Sequence, residues 1–176
     1  MSLQRVSIAV PFTDQVDPEE FVPVFHGWIR GQTVEGVLID VARYAHVHQG
    51  PGVMLVGLEG DHSIDMAGGR PTLRYTLKRD NEGTPTELVA RALRRLMRAA
   101  EAVRETGKSV DTADVRVRVY DRLRAPNTHG SRQALSEPIE AAFREVLGAT
   151  AIEAEPLSDD PREPLGLRIR VTAGVA

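Results

Sequence analysis

The chain has 176 residues, 41% hydrophobic and 27% charged, with a formal net charge of −3 and no cysteine. That length and balance suit one well-buried globular domain over residues 1–176 and argue against disorder. The missing cysteine excludes disulfides, thiolate nucleophiles, iron–sulfur clusters and zinc–thiolate sites, and the weak negative charge gives no global attraction to nucleic acid or acidic lipid.

Residues 3–10, LQRVSIAV, alternate as a first strand, which Pro11 and the stretch from Asp14 to Pro18 end. Asp17 is a suitable N-cap, with Pro18 after it and Glu19 and Glu20 at the positive end of the helix dipole. Pro23 offers a second start, for a helix running to Arg30 with Gly31 as its C-cap. Phe21, Val24, Phe25 and Trp28 follow i, i+3, i+4, i+7 spacing, a core-facing stripe, with His26 between Phe25 and Trp28. Val37 to Val47 and Val53 to Leu58 read as two strands joined by His48-Gln49-Gly50-Pro51-Gly52. Gly68-Gly69-Arg70-Pro71 is a turn, and Leu73 to Lys78 a strand with Leu73, Tyr75 and Leu77 on one face.

The clearest helix is Thr86 to Arg104, where Val89, Leu93, Leu96, Ala100 and Val103 step by four and three. Thr84 or Thr86 caps it and Gly107 stops it. Val115 to Val119 alternates valine with arginine, a strong strand signal. Asn127 or Thr128 is an N-cap for a helical stretch over 131–147, interrupted at Pro138. Thr150 to Glu155 and Leu165 to Val171 read as strands, separated by the polar loop SDDPREP. Hairpins dominate and no regular strand–helix alternation occurs. The expected fold is α+β: a mostly antiparallel sheet with two longer helices packed on it.

The stretch from Asp40 to Asp65 gathers most of the residues suited to chemistry. At a strand period of two, Asp40, Tyr44, His46 and His48 share one face. A turn between Gly50 and Pro51 sets Tyr44 opposite Gly57, Ala42 opposite Glu59 and Asp40 opposite Asp61. Opposed residues share a face, so Asp40, Glu59 and Asp61 become a carboxylate group with His46 beside it. Carboxylates that close need a cation. A divalent metal held by His46, Asp40 and Glu59 meets that need, with His26 joining if its helix packs nearby. The competing reading leaves Tyr44 and His46 bonded locally and the carboxylates in water at the hairpin base. No HExxH, calcium-loop, Walker or dinucleotide-binding pattern is present, nor a Gly-x-Ser-x-Gly elbow. Asp61, His62 and Ser63 are adjacent and point to alternate sides of an extended chain, so they make no triad.

Arginines form a second candidate. Arg91, Arg94, Arg95 and Arg98 share a helical face, Arg116 and Arg118 a strand face, and Arg168 and Arg170 another. If those strands neighbour Arg74 and Lys78, a basic sheet surface results, suited to an anion, a phosphorylated ligand or an acidic partner. Nucleic acid is disfavoured because the aromatic residues that RNA-binding sheets use for stacking are absent from these faces. Ion pairing within a solvated face, with Glu153 and Glu155 available, is the simpler account.

Three strings carry a resemblance: Phe25-His26-x-Trp28-Ile29, the run Asp40-Val41-Ala42-x-Tyr44-x-His46-Val47 with Gly50-Pro51-Gly52-Val53-x-Leu55-x-Gly57-x-Glu59, and Asp121-Arg122-Leu123-x-Ala125-Pro126-Asn127-Thr128. Over most of its length the chain resembles a family of uncharacterised bacterial proteins, which implies no activity or catalytic residue. The N-terminal MSLQRVSIAVPF lacks signal-peptide features, and no apolar run reaches the roughly 18 residues of a membrane span. The expectation is a cytoplasmic, homo-oligomeric, non-catalytic ligand- or partner-binding protein with no membrane partner. The first rival is a metal-dependent enzyme, such as a hydrolase in which a carboxylate activates metal-bound water. The second is an anion or nucleic-acid binder acting through its arginine faces.

Overall fold

The computed structural model describes residues 3, 5–44, 47, 50–66, 69–79 and 82–173. In chain order the strands are β1 (Val6–Pro11), β2 (Leu38–Arg43), β3 (Pro51–Gly57), β4 (Gly60–Asp65), β5 (Thr72–Leu77), β6 (Asp114–Val119), β7 (Ala151–Pro156) and β8 (Leu165–Ala173). The helices are α1 (Phe21–Gly31), α2 (Pro85–Arg104) and α3 (His129–Leu147). All strands join one sheet in the order β2-β3-β4-β5-β1-β6-β8-β7, and every neighbouring pair is antiparallel. The fold is α+β, as the element order implies.

Helix starts are set by local side chains. The Asp17 carboxylate accepts from the Glu19 amide at 3.0 Å, and the Glu20 carboxylate accepts from the Asp17 amide, closing a capping box on a 3-10 turn over Pro18–Glu20 that leads into α1. Thr84 and Glu87 form a second capping box at α2, with the Thr84 amide donating to Glu87 at 2.7 Å. Thr128, not Asn127, caps α3 by accepting from the Ser131 amide. At the end of α1 the left-handed residue is Gln32 (φ 46°) rather than the expected Gly31, which stays helical.

All three helices pack on one face of the sheet. α1 lies against β2 and β3, α2 against β1 and β5, and α3 against β8 and β7. That face buries Val6, Ile8 and Val10, then Leu73, Tyr75 and Leu77, then Val115, Val117 and Val119, then Leu165, Leu167 and Ile169. Phe21, Phe25 and Trp28 of α1 and Leu88, Leu93 and Leu96 of α2 fill the layer above. Among the described residues no helix is long and apolar enough to cross a membrane.

Sequence reading misses one strand. Residues 60–65, GDHSID, form β4, third in the sheet and buried at every position. Its composition resembles a loop because polar groups occupy most of its positions. It is tolerated because His62 and Ile64 face the helices, while Asp61 and Asp65 find cations on the opposite face.

The β3–β4 connection leaves no room for side chains at its glycines. A Cβ at Gly60 would lie 2.4 Å from the Tyr75 hydroxyl and 2.6 Å from the Thr76 carbonyl oxygen. Gly60→Ala is therefore expected to destabilise the protein by about 2 kcal/mol through overpacking against backbone, seen as a lower urea midpoint at unchanged slope. A change under about 0.5 kcal/mol would mean that β4 and β5 are not held this tightly.

Candidate anion-binding site

The hairpin register differs from the expected one. Ala42 pairs with Met54, Arg43 with Val53 and Asp40 with Val56. The Tyr44 amide donates to the Gly52 carbonyl at 2.8 Å. Gly-Pro-Gly is not the bend: Pro51 opens β3, and the bend lies before it. Ala42 thus faces Met54 instead of Glu59, a slip of five positions (59 − 54). Asp40 is exposed, with its carboxylate on the next amide, Val41, at 2.7 Å. Glu59 falls in the β3–β4 turn and accepts from the Val37 amide at 3.1 Å. Asp61, buried on β4, accepts from the Gly57 amide and lies 2.7 Å from the Lys78 ammonium. His26 is exposed on α1, and Tyr44 sits partly exposed at the end of β2. His46 and His48 lie outside the described residues. Among the described residues no three His, Cys, Asp or Glu side chains are placed to hold a metal ion, and Asp40, Glu59, Asp61 and His26 do not converge.

The arginines divide between two sides of the molecule. Arg94 pairs with Glu145 of α3, Arg98 lies 3.0 Å from Glu101, and Arg91 donates to the Glu82 carbonyl. These three decorate the helical layer, where exposed pairs contribute little. Arg116 and Arg118 lie on the opposite, helix-free face of the sheet.

On that face a single row crosses all eight strands: Ala42, Met54, Ser63, Arg74, Ala9, Arg116, Arg168 and Glu155. Beside it runs Asp61, Thr76, Ser7, Arg118 and Gly166. Most charges here are matched. Arg74 Nε lies 2.7 Å from Asp65 Oδ2. Arg168 donates to both Asp114 oxygens at 2.8 Å and reaches Glu155, and Arg170 reaches Glu155 at 3.3 Å. The Arg168 hydrogen bonds hold the Asp114 carboxyl below its ordinary pKa.

Arg116 is different. It is half-buried, and neither it nor Arg118 makes a hydrogen bond or ion pair with a described residue. Burial lowers the Arg116 pKa; nearby Asp114 opposes that, while Arg168, Arg118 and Arg70 add to it. Small side chains at Ala9 and Ser7 keep the floor low between these arginines. Tyr120 continues the strand period past Arg116 and Arg118, accepts from Arg74 Nη1 at 3.0 Å, and lies under the Arg5 guanidinium. Next to it is a cleft of about 200 Å³ lined by Met54, Ser63, Asp65, Arg74, Thr76 and Tyr120 among others. The Val-Arg alternation of β6 is the signal that finds Arg116 and Arg118. Ser63 and Asp65 escape because β4 does not read as a strand.

The helix side holds one group the sequence did not single out. His62 is 1% exposed, set between the Tyr75 ring at 4.8 Å and the Trp28 ring at 6.1 Å. Neither ring nitrogen has a partner among the described residues. Burial, reinforced by Arg95, pushes its pKa down to about 3, so the imidazole is neutral at physiological pH. Burial pushes the Tyr75 phenol up to about 12, with Arg95 opposing and Glu59 and Asp61 assisting.

Fold and site together define a two-layer α+β protein with a charged sheet face that no described helix covers. No protein-family model, curated protein or solved structure matches the chain.

Proposed function

We propose that this is a non-catalytic binding protein that takes an anionic ligand on the helix-free face of its sheet, at Arg116 and Arg118. The observation that carries the reading is Arg116: a half-buried guanidinium with no hydrogen bond or ion pair to a described residue, crowded by Arg168, Arg118 and Arg70, while the nearby Asp114 carboxylate is already held by Arg168. A buried charge is normally paired, and a bound anion supplies the missing partner through charge-assisted, bidentate hydrogen bonds. Guanidinium groups orient anions but exchange no proton at physiological pH, which suits recognition rather than acid–base chemistry.

The proposal includes a cytoplasmic homo-oligomer. Its copies do not join through the sheet edges, because both outer strands carry register bulges, between Leu38 and Asp40 in β2 and between Ala151 and Ile152 in β7.

Titration calorimetry with inorganic phosphate at low salt tests the reading. Saturable binding is expected, weakened at least tenfold by Arg116→Ala with Arg118→Ala, since each charged hydrogen bond contributes roughly 1.5–3 kcal/mol. Arg94→Ala, on the helical layer, leaves it unchanged. No saturable binding of phosphate, sulfate or citrate, or binding that survives the double substitution, would overturn it.

A further inference from the structure

The arginine row is short and has carboxylates at both ends. From Arg74 on β5 through Ala9 and Arg116 to Arg168 on β8 it spans three inter-strand steps, or roughly 14 Å at ~4.8 Å each. Past β8 stands Glu155, and past β5 stand Asp61 and Asp65 on β4. A nucleic acid or other polyanion laid across this face would run from guanidinium onto carboxylate at either end. A compact anion meets no such penalty.

The cleft beside Tyr120 has a different chemistry. Its floor is Ser63 and Asp65, 4% and 6% exposed, with the Ser63 hydroxyl donating to Asp65 at 3.0 Å. Thr76 and Tyr120 add hydroxyls, Met54 and Pro51 give an apolar wall, and Arg74 and Arg5 complete the lining. Hydroxyl and carboxylate oxygens on a partly apolar lining match neutral groups that both donate and accept hydrogen bonds. The floor carboxylate and the Tyr120 hydroxyl engage Arg74 at 2.7 and 3.0 Å, and the Arg5 guanidinium lies over the Tyr120 ring, so both cations of the cleft are already engaged. The cleft connects to the arginines along one register row: Thr76 neighbours Ser7, and Ser7 neighbours Arg118. Two strand steps, roughly 10 Å, separate Thr76 from Arg118; the small Ser7 stands between, with the Tyr120 hydroxyl 3.5 Å from its Oγ.

We propose that the ligand is a small phosphate ester carrying hydroxyl groups, its phosphate on Arg116 and Arg118 and its hydroxylated part in the cleft over Ser63 and Asp65. This rests on the anion-binding reading above and names the ligand's class.

Calorimetry on the full chain compares ribose 5-phosphate, inorganic phosphate, ribose and a single-stranded oligothymidylate as probes. Ribose 5-phosphate is expected to bind at least tenfold more tightly than phosphate, with ribose near the detection limit. Ser63→Ala with Thr76→Val is expected to bring ribose 5-phosphate down to the level of phosphate while leaving phosphate itself unchanged, which also reports an intact fold. Should that pair fail to fold, Met54→Trp fills the cleft from its partly exposed wall, and the same collapse of the two affinities is expected. Equal affinity for phosphate and ribose 5-phosphate in the unmodified protein would overturn this inference and leave the anion-binding reading standing. Preference for the oligonucleotide over ribose 5-phosphate would do the same. If none of the phosphorylated probes binds, both fail.

Discussion

Between pH 7 and pH 5 the protein is expected to lose about 2 kcal/mol of stability, and His62→Phe is expected to remove most of that loss. The folded imidazole has its pKa lowered to about 3 from an ordinary 6.5, chiefly by burial and further by Arg95. Below pH 6.5 the unfolded chain takes up a proton that the folded one refuses. Stability therefore rises with pH through this window and falls as the medium is acidified. At 1.36 kcal/mol per pH unit the loss reaches roughly 2 kcal/mol at pH 5 and roughly 4 kcal/mol by pH 3. The upper part of the window lies above the range in which carboxylates ordinarily titrate, so His62 is read there with least interference. Phenylalanine keeps a flat ring against Tyr75 and Trp28 and removes two nitrogens that have no partner among the described residues. The variant is expected to match or exceed the parent at pH 7 and to show a nearly flat urea midpoint down to pH 5. A parent midpoint that does not move over that interval would show that the imidazole is not held dry.

The contrast between β6 and β4 shows what the sequence can carry. In β6 the valines at 115, 117 and 119 bury against helices and the arginines at 116 and 118 turn to the other face, so a period of two is visible in the letters. The α2 seam is equally plain, because Val89, Leu93, Leu96, Ala100 and Val103 all lie in the core. β4 has no such contrast. His62 stands on its apolar side, and Asp61, Ser63 and Asp65 are buried on the other by partners from β5 and the segment after it. Those partners are distant in sequence, so tertiary pairing rather than local propensity makes this segment a strand. Register failed for a related reason. Gly50-Pro51-Gly52 signals a turn, but proline also opens strands, where it needs no amide donor. Once Pro51 belongs to β3, Glu59 moves out of the hairpin and the carboxylate group expected with Asp40 disperses.

Arg74→Met is expected to cost roughly 3–5 kcal/mol, more than any surface change in this protein, because it strands a carboxylate inside the sheet. Arg74 and Asp65 are 2.7 Å apart, and their side chains are only 14% and 9% exposed. Desolvating both charges consumes most of what their attraction returns, so the pair adds little net stability while it is intact. Removing one member keeps the desolvation cost and discards the attraction. Asp65 would retain the Ser63 hydroxyl, and Tyr120 would lose the donor it has at 3.0 Å. The double variant Arg74→Met with Asp65→Asn leaves no uncompensated charge and is expected to recover more than half of the loss. A double-mutant cycle from urea unfolding is then expected to show a double-variant cost well below the sum of the two single costs. The neighbouring pair supplies the comparison. Lys78 lies 2.7 Å from Asp61, but its side chain is 30% exposed and Asp61 also accepts from the Gly57 amide. Asp61 is as buried as Asp65, each side chain 9% exposed, but the Gly57 amide still donates to it once the ammonium is gone, so Lys78→Met is expected to cost less than Arg74→Met. Equal costs for the two would mean that the Gly57 amide stabilises a stranded Asp61 no better than the Ser63 hydroxyl stabilises a stranded Asp65.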